Sequence, residues 1–198
     1  MDLFSGSFRP TADQPYLELP LVLPAGTRDL KLALELDLES YSGDKGHPVL
    51  WVFGGKWKRT IGYLTLRENG VVRLRTIWDE IENKDDARAR LSGPIRCDFT
   101  AANGKATLSI RHGEPLQTLQ LSTPIGAGEG GALPTPLTIW LGSDNGKAEN
   151  RPEGFVFRRL RMAGAEEPDR IDELVAAIEH ALVLADALVL AGALRRSL

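Results

Sequence analysis

Five consecutive residues, Glu35-Leu36-Asp37-Leu38-Glu39, set three carboxylates at alternate positions. In an extended strand such positions share one face, and carboxylates held close together are a residue type that general acid–base chemistry uses. The same spacing also describes the wet side of an amphipathic strand. Lys31 and Ala33 continue the polar register, and Leu30, Leu32, Leu34, Leu36 and Leu38 make the other face entirely leucine. Both readings follow from one pattern, and only the surroundings of the carboxylates separate them.

A second group is aromatic: Trp51, Trp57, Trp78 and Trp140, with Tyr63. An indole face stacks on the flat apolar face of a sugar ring, while Asp, Asn and Arg side chains nearby bind hydroxyls. Trp57 lies in the polar stretch Gly54-Gly55-Lys56-Trp57-Lys58-Arg59, where a core role would be odd. Trp51 and Trp140 sit inside apolar runs and are expected in the core. The expected ligand-binding set is therefore Lys56, Trp57, Arg59, Trp78 and Asp79, joined by Asp144 and Asn145 of the loop 142–150. That loop also carries Glu149 and Asn150. Its oxygen-rich composition could hold calcium, a hard cation that takes carboxylate and carbonyl ligands, although Asp-Asn-Gly is first of all a turn sequence. No other cofactor is implied.

Several chemistries are excluded. His47, His112 and His180 are scattered, with no paired spacing. The glycine-rich stretch 126–131 has no Lys-Ser or Lys-Thr after it, as a phosphate loop requires. Cys97 is the only cysteine, so there is no intramolecular disulfide and no cysteine-based zinc site. A net charge of −3, from 24 basic and 27 acidic residues, gives no global attraction to nucleic acid or anionic lipid.

The elements that would position these groups read as short strands. Alternation predicts strands over Tyr16–Leu23, Leu30–Leu38, Thr60–Arg67 and Val71–Trp78, and an apolar run predicts another over Val49–Phe53. Asn69-Gly70 and Asn103-Gly104 mark hairpins. Residues 79–90 lack apolar periodicity and read as a solvated loop. Strands follow over Ile95–Thr100, Ala106–Arg111, Leu116–Leu121, Leu137–Leu141 and Gly154–Met162, with a Gly/Pro-rich loop from Pro124 to Pro136. Strands and turns at this spacing indicate one all-β sandwich over residues 1–163.

The character changes at Glu166. Pro168 suits a first helical turn, Asp169 and Asp172 suit the positive N-terminal end, and Arg195-Arg196 suit the other. Ile171, Leu174, Val175, Ile178, Leu182, Ala185, Leu188 and Val189 fall on one face of the predicted helix over 164–198. Glu179, His180 and Asp186 interrupt the apolar stretch of about 20 residues that a membrane span needs. The helix is expected either to cover its own sandwich or to assemble copies into a homo-oligomer. The N-terminus, MDLFSGSFRP, lacks a charged segment followed by an apolar one. The expectation is a cytoplasmic protein, or one assembled into a particle without a secretory signal.

The segments DFTAANGKATLSIRHGEPLQTLQLS and LTIWLGSDNGKAENRPEGFVFRRLRM, from Asp98 to Met162, resemble the last strands of laminin-G-like and concanavalin-A-like domains. In those domains a strand, a short turn such as His112-Gly113-Glu114-Pro115 and a second strand form a hairpin. A strand ending in Gly-x-Asp-Asn-Gly and a closing strand follow. The resemblance implies an antiparallel jelly-roll β-sandwich. Glu35-Leu36-Asp37-Leu38-Glu39 is in turn similar to the E-x-D-x-E core of one retaining glycoside hydrolase family with that fold. That likeness would make Glu35 the nucleophile, Asp37 its assistant and Glu39 the acid/base. The group contains lectins, adhesion modules and enzymes, so function has to come from the site. The first expectation is a non-catalytic glycan-binding or adhesion module made multivalent by its helix. A structural or assembly protein binding other proteins is the second, and the glycosidase the third.

Overall fold

The leucine side of the Leu30–Leu38 pattern is where the fold is decided, because it must be buried against a second apolar surface. In the computed structural model Leu30, Leu32, Leu34 and Leu36 are each at most 2% exposed, and the strand spans Leu30–Leu38 as its alternation predicts. The structure describes residues 1–40, 46–55, 59–67, 69–83, 90–113, 116–125, 132–143, 147 and 151–163. The predicted helix and all the residues named for it lie outside these.

Twelve strands run in chain order: β1 Asp2–Phe8, β2 Tyr16–Leu21, β3 Leu30–Leu38, β4 His47–Gly54, β5 Arg59–Leu66, β6 Val72–Arg75, β7 Glu80–Glu82, β8 Gly93–Ala102, β9 Lys105–His112, β10 Gln117–Pro124, β11 Leu137–Gly142 and β12 Phe155–Ala163. They form two six-stranded antiparallel sheets. Sheet one has the order β1-β12-β3-β8-β9-β10 and sheet two β2-β11-β4-β5-β6-β7. The core between them is a single cluster fed by both. From sheet one come the β3 leucines with Ile95, Cys97, Phe99, Leu108 and Ile110, and from sheet two Leu50, Val52, Leu64, Leu74 and Ile139. This is the face-to-face packing of a sandwich. Gly62 on β5 is required there, because a Cβ at this position would run into the ring of Phe99 from the other sheet.

The hairpin signal at Asn103-Gly104 is real. Both residues have positive φ, 51° and 73°, and they join Ala102 to its partner Lys105, as a two-residue turn matched to strand twist does.

Two strands leave no pattern in the sequence. β1 is an edge strand whose only buried side chain is Phe8, so it has no buried face to leave a period. β7 falls in the stretch read as solvated loop. It is three residues long and pairs with β6, and Asn83 just beyond it secures the end. The Asn83 Oδ1 accepts from Val72 N at 2.8 Å, and Nδ2 donates to Gly70 O at 2.9 Å. A buried side-chain amide does here what apolar periodicity does elsewhere. The predicted strand Val71–Trp78 is correspondingly cut short at Arg75, where a turn over Thr76–Asp79 begins.

Candidate functional site

The outer face of sheet two carries an aromatic layer. On β4 the inward phase is taken by Leu50 and Val52, which belong to the core cluster, whereas Trp51, Phe53 and, on β11, Trp140 do not. This corrects the expectation that Trp51 is a core residue, while Trp140 is buried as expected, though outside the inter-sheet cluster. Runs such as Val49–Phe53 are apolar in both phases, so alternation could not tell which side each indole takes.

Pairing then builds a row across all six strands. Glu18 pairs with Trp140, Trp140 with Trp51, Trp51 with Tyr63, Tyr63 with Arg75 and Arg75 with Glu80. Neighbours in such a row touch side chain to side chain. Trp140 lies edge-on to Trp51, with centroids 5.3 Å apart at 90°, and stacks on Tyr16 at 4.2 Å. Its Nε1 donates to Glu18 Oε2 at 2.8 Å. Phe53 packs against Trp51 at 4.3 Å and Trp140 at 5.4 Å. Trp140 is 8% and Phe53 5% exposed although both face away from the core. Trp51 is thereby fixed between rigid neighbours while part of its own surface stays accessible.

Beside it, Trp51, Thr60, Tyr63 and Arg75 line a depression of about 170 Å³. That is below the roughly 300–1,000 Å³ of drug-sized ligand pockets and suits a single ring on an open strand face. The Thr60 Oγ1 accepts from the indole Nε1 of Trp51 at 3.1 Å, which fixes both groups and leaves the hydroxyl hydrogen directed elsewhere. Across β6 and β7, Arg73 draws both carboxylates, Glu80 at 3.2 Å and Glu82 at 2.7 Å. The hydrogen bond to Glu82 raises the Arg73 pKa further above its already high value. Arg75 is exposed and has no ion-pair partner among the described residues.

The predicted binding residues are not all brought to this place. Arg59 opens β5 and is half-buried opposite Gly54, while Lys56 and Trp57 lie outside the described residues. Trp78 stands 66% exposed, with Ile77 46% exposed beside it, on the turn between β6 and β7. Thr76 holds that turn: its Oγ1 accepts from Trp78 N and Asp79 N at 3.3 and 3.2 Å and donates to Pro124 O at 2.8 Å. The Asp79 carboxylate accepts from Glu80 N at 2.8 Å and Thr123 Oγ1 at 3.3 Å, so Asp79 is engaged in shaping the turn. Asp144, Asn145 and Glu149, the calcium candidates, lie outside the described residues. Among the described residues no three His, Cys, Asp or Glu side chains group as metal ligands would, and no helix is long and apolar enough to cross a membrane. Nothing in the sequence singles out Thr60 and Arg75 as site residues. Only the register of β4, β5 and β6 places them beside Trp51.

The outer face of sheet one holds the carboxylates of β3. Asp37 accepts from Arg158 Nε at 2.6 Å, and Glu39 accepts from Arg9 at 2.8 Å and lies 3.6 Å from Arg158. Glu35 is flanked in register by Arg159 and Arg96. Asp98 is shared by Arg96 at 3.1 Å and Arg111 at 2.9 Å, and Asp2 by Arg159 at 2.9 Å and Arg161 at 3.4 Å. The hydrogen bond from Arg9 holds the Glu39 carboxyl below its ordinary pKa, with Arg158 adding to the effect. A general acid needs the opposite shift. A groove of about 380 Å³ runs past Glu35, Asp37, Arg96, Arg111, Leu116 and Arg158. It is larger than the depression on sheet two, but of its charged walls Asp37 and Arg158 are paired with each other and Arg96 and Arg111 with Asp98, leaving Glu35 as the wall carboxylate with no ion pair among the described residues.

No family model matches the chain, and no curated protein sequence is similar to it. Solved structures are. The chain is similar to the LG1–3 region of the laminin α2 chain, with a TM-score of 0.54 and 10% identity over 80% of this chain and 31% of that one. It is similar to domains LG4–5 of the mouse laminin α1 chain, with a TM-score of 0.51 and 13% identity over 82% and 43%. An alginate lyase from Pseudomonas aeruginosa gives a TM-score of 0.50 and 13% identity over 74% and 72%. The chain thus spans less than half of either laminin structure. These are concanavalin-A-like jelly-roll sandwiches, and the fold resemblance drawn from residues 98–162 extends over most of the chain.

Proposed function

We propose that this protein is a non-catalytic carbohydrate-binding module whose ligand lies on the outer face of sheet two, against Trp51 and Tyr63, with Thr60 and Arg75 as polar contacts. The observation that carries the reading is the arrangement around Trp51: an indole immobilised by Trp140, Phe53 and Thr60, opening on a depression shared with a hydroxyl and a guanidinium. A ring held before the ligand arrives loses little conformational freedom on binding, and an aromatic face beside polar donors is what a sugar ring presents its C–H face and hydroxyls to. The fold is compatible with this but does not decide it.

Screening the full chain on a glycan array tests the reading, with Trp51→Ala and the milder Trp51→Phe beside it. Binding to at least one glycan is expected, weakened about tenfold or more by Trp51→Ala and less by Trp51→Phe, as loss of a stacking platform of about 1.5 kcal/mol or more implies. An empty array, or hits indifferent to both substitutions, would overturn it.

The reading includes multivalency through residues 164–198, whose apolar positions Ile171, Leu174, Val175, Ile178, Leu182, Leu188 and Val189 suit self-association. Linked weak sites gain avidity without new contacts. Light scattering should give an oligomer for the full chain and a monomer for a chain ending at Gly164. Equal masses would remove this part of the proposal.

A further inference from the structure

Arginines on this sandwich are mostly committed to carboxylates. On sheet one, Arg9, Arg96, Arg111, Arg158, Arg159 and Arg161 each contact at least one of Asp2, Asp37, Glu39 and Asp98. On sheet two, Arg73 takes the two carboxylates that stand across from β6. Its Nε is 3.2 Å from Glu80 and its terminal nitrogen 2.7 Å from Glu82, even though Glu80 is the register partner of Arg75. Arg75 is left exposed, without an ion-pair partner among the described residues, as a wall of the depression that Trp51, Thr60 and Tyr63 complete.

From this we infer that the saccharide bound at the sheet-two site is acidic, a uronate whose carboxylate is taken by Arg75. The inference rests on the glycan-binding reading. A guanidinium offers a planar fork of donors that matches a carboxylate two bonds at a time, and the Thr60 hydroxyl, whose oxygen accepts from the Trp51 indole, lines the same depression. Specificity for the acid cannot come from bulk attraction, because the chain as a whole carries a net charge of −3 and repels a polyanion weakly. It has to come from a local cation, and among the described residues Arg75 is the one that lines the depression. Arg75 is accordingly the residue that separates acidic from neutral sugars, whereas Trp51 serves both.

The test uses polygalacturonate and the same polymer after carboxyl reduction, so that the ligands differ only at the acid. Affinity electrophoresis or calorimetry on the full chain should show the acidic polymer bound about tenfold or more tightly, the range of a charge-assisted bond. Arg75→Gln should erase the difference by weakening the acidic polymer about tenfold more than the reduced one, and Arg75→Lys should recover only part of it. Trp51→Phe should weaken both polymers alike. Equal affinity for the two polymers, unmoved by Arg75→Gln, would overturn the inference and leave the glycan-binding reading standing. Dextran sulfate competing as well as the uronate would overturn it in favour of general anion capture. Binding to neither polymer while the array shows neutral hits would overturn it too, and an empty array would remove both claims.

Discussion

On the outer face of sheet one, Asp37 meets Arg158 at 2.6 Å and Asp98 is shared by Arg96 and Arg111. On the outer face of sheet two, one arginine takes two glutamates and its neighbour is left beside two aromatic rings. The two faces belong to the same sandwich and carry similar residue types, but their polar groups have different partners. A charge that already has a partner offers a ligand only what remains after that partner is displaced. An exposed charge with no ion-pair partner among the described residues, set next to an apolar ring, has both parts of a recognition site available. The larger groove therefore lies on the face whose arginines are already committed to carboxylates.

The difference can be broken experimentally, most severely at Trp140. Trp140→Ala removes the stack on Tyr16, two edge-on contacts and the bond to Glu18. Urea denaturation should show a loss of about 3 kcal/mol or more, the range of buried aromatic truncation. A loss below about 1 kcal/mol would mean that the aromatic layer is an ornament of the surface. On sheet one a smaller effect is expected. Asp98→Asn should cost about 1 kcal/mol, less at high salt, because the groups are partly exposed and screened, and glycan affinity should not change. A tenfold loss of affinity in this variant would exchange the roles of the two faces.

The smallest effect concerns acidity. His112 is buried at the end of β9, its Nδ1 has no hydrogen-bond partner among the described residues, and burial lowers its pKa. The folded state therefore binds this proton more weakly than the unfolded chain does. The contribution is fully present above the unfolded value of about 6.5 and declines as pH falls below it. His112→Phe should flatten the stability profile between pH 7 and 5.5, and an unchanged slope would assign acid sensitivity to other groups.

Much of this architecture is legible in the order of the residues. Leu30 to Leu38 alternate because one side is buried and the other is wet, and the strand has those bounds. Asn103-Gly104 adopts positive φ and closes its hairpin. The parts that are not legible have a common cause: their information lies in pairing and not in local order. β1 buries one residue, β7 is fastened by the amide of Asn83, and Trp51 could face either way until β11 is laid beside β4. Arg73 and Arg75 are chemically identical in the sequence. Only their positions relative to Glu80 and Glu82 distinguish the paired arginine from the available one. Trp57, Asp144 and Asn145, which the sequence singles out, lie outside the described residues, and their part in binding is tested by the same glycan experiments.

The most direct test of the aromatic face is an ¹H–¹⁵N spectrum of the full chain titrated with the tightest-binding glycan of the array, read at the four tryptophan indoles and the strand amides. The indole of Trp51, whose Nε1 is bonded to Thr60 at the edge of the depression, should shift together with amides of β5 and β6, while β8 and β9 stay still. Shifts confined to β3, β8 and β9, with the Trp51 indole unmoved, would place the ligand in the charged groove and contradict the account.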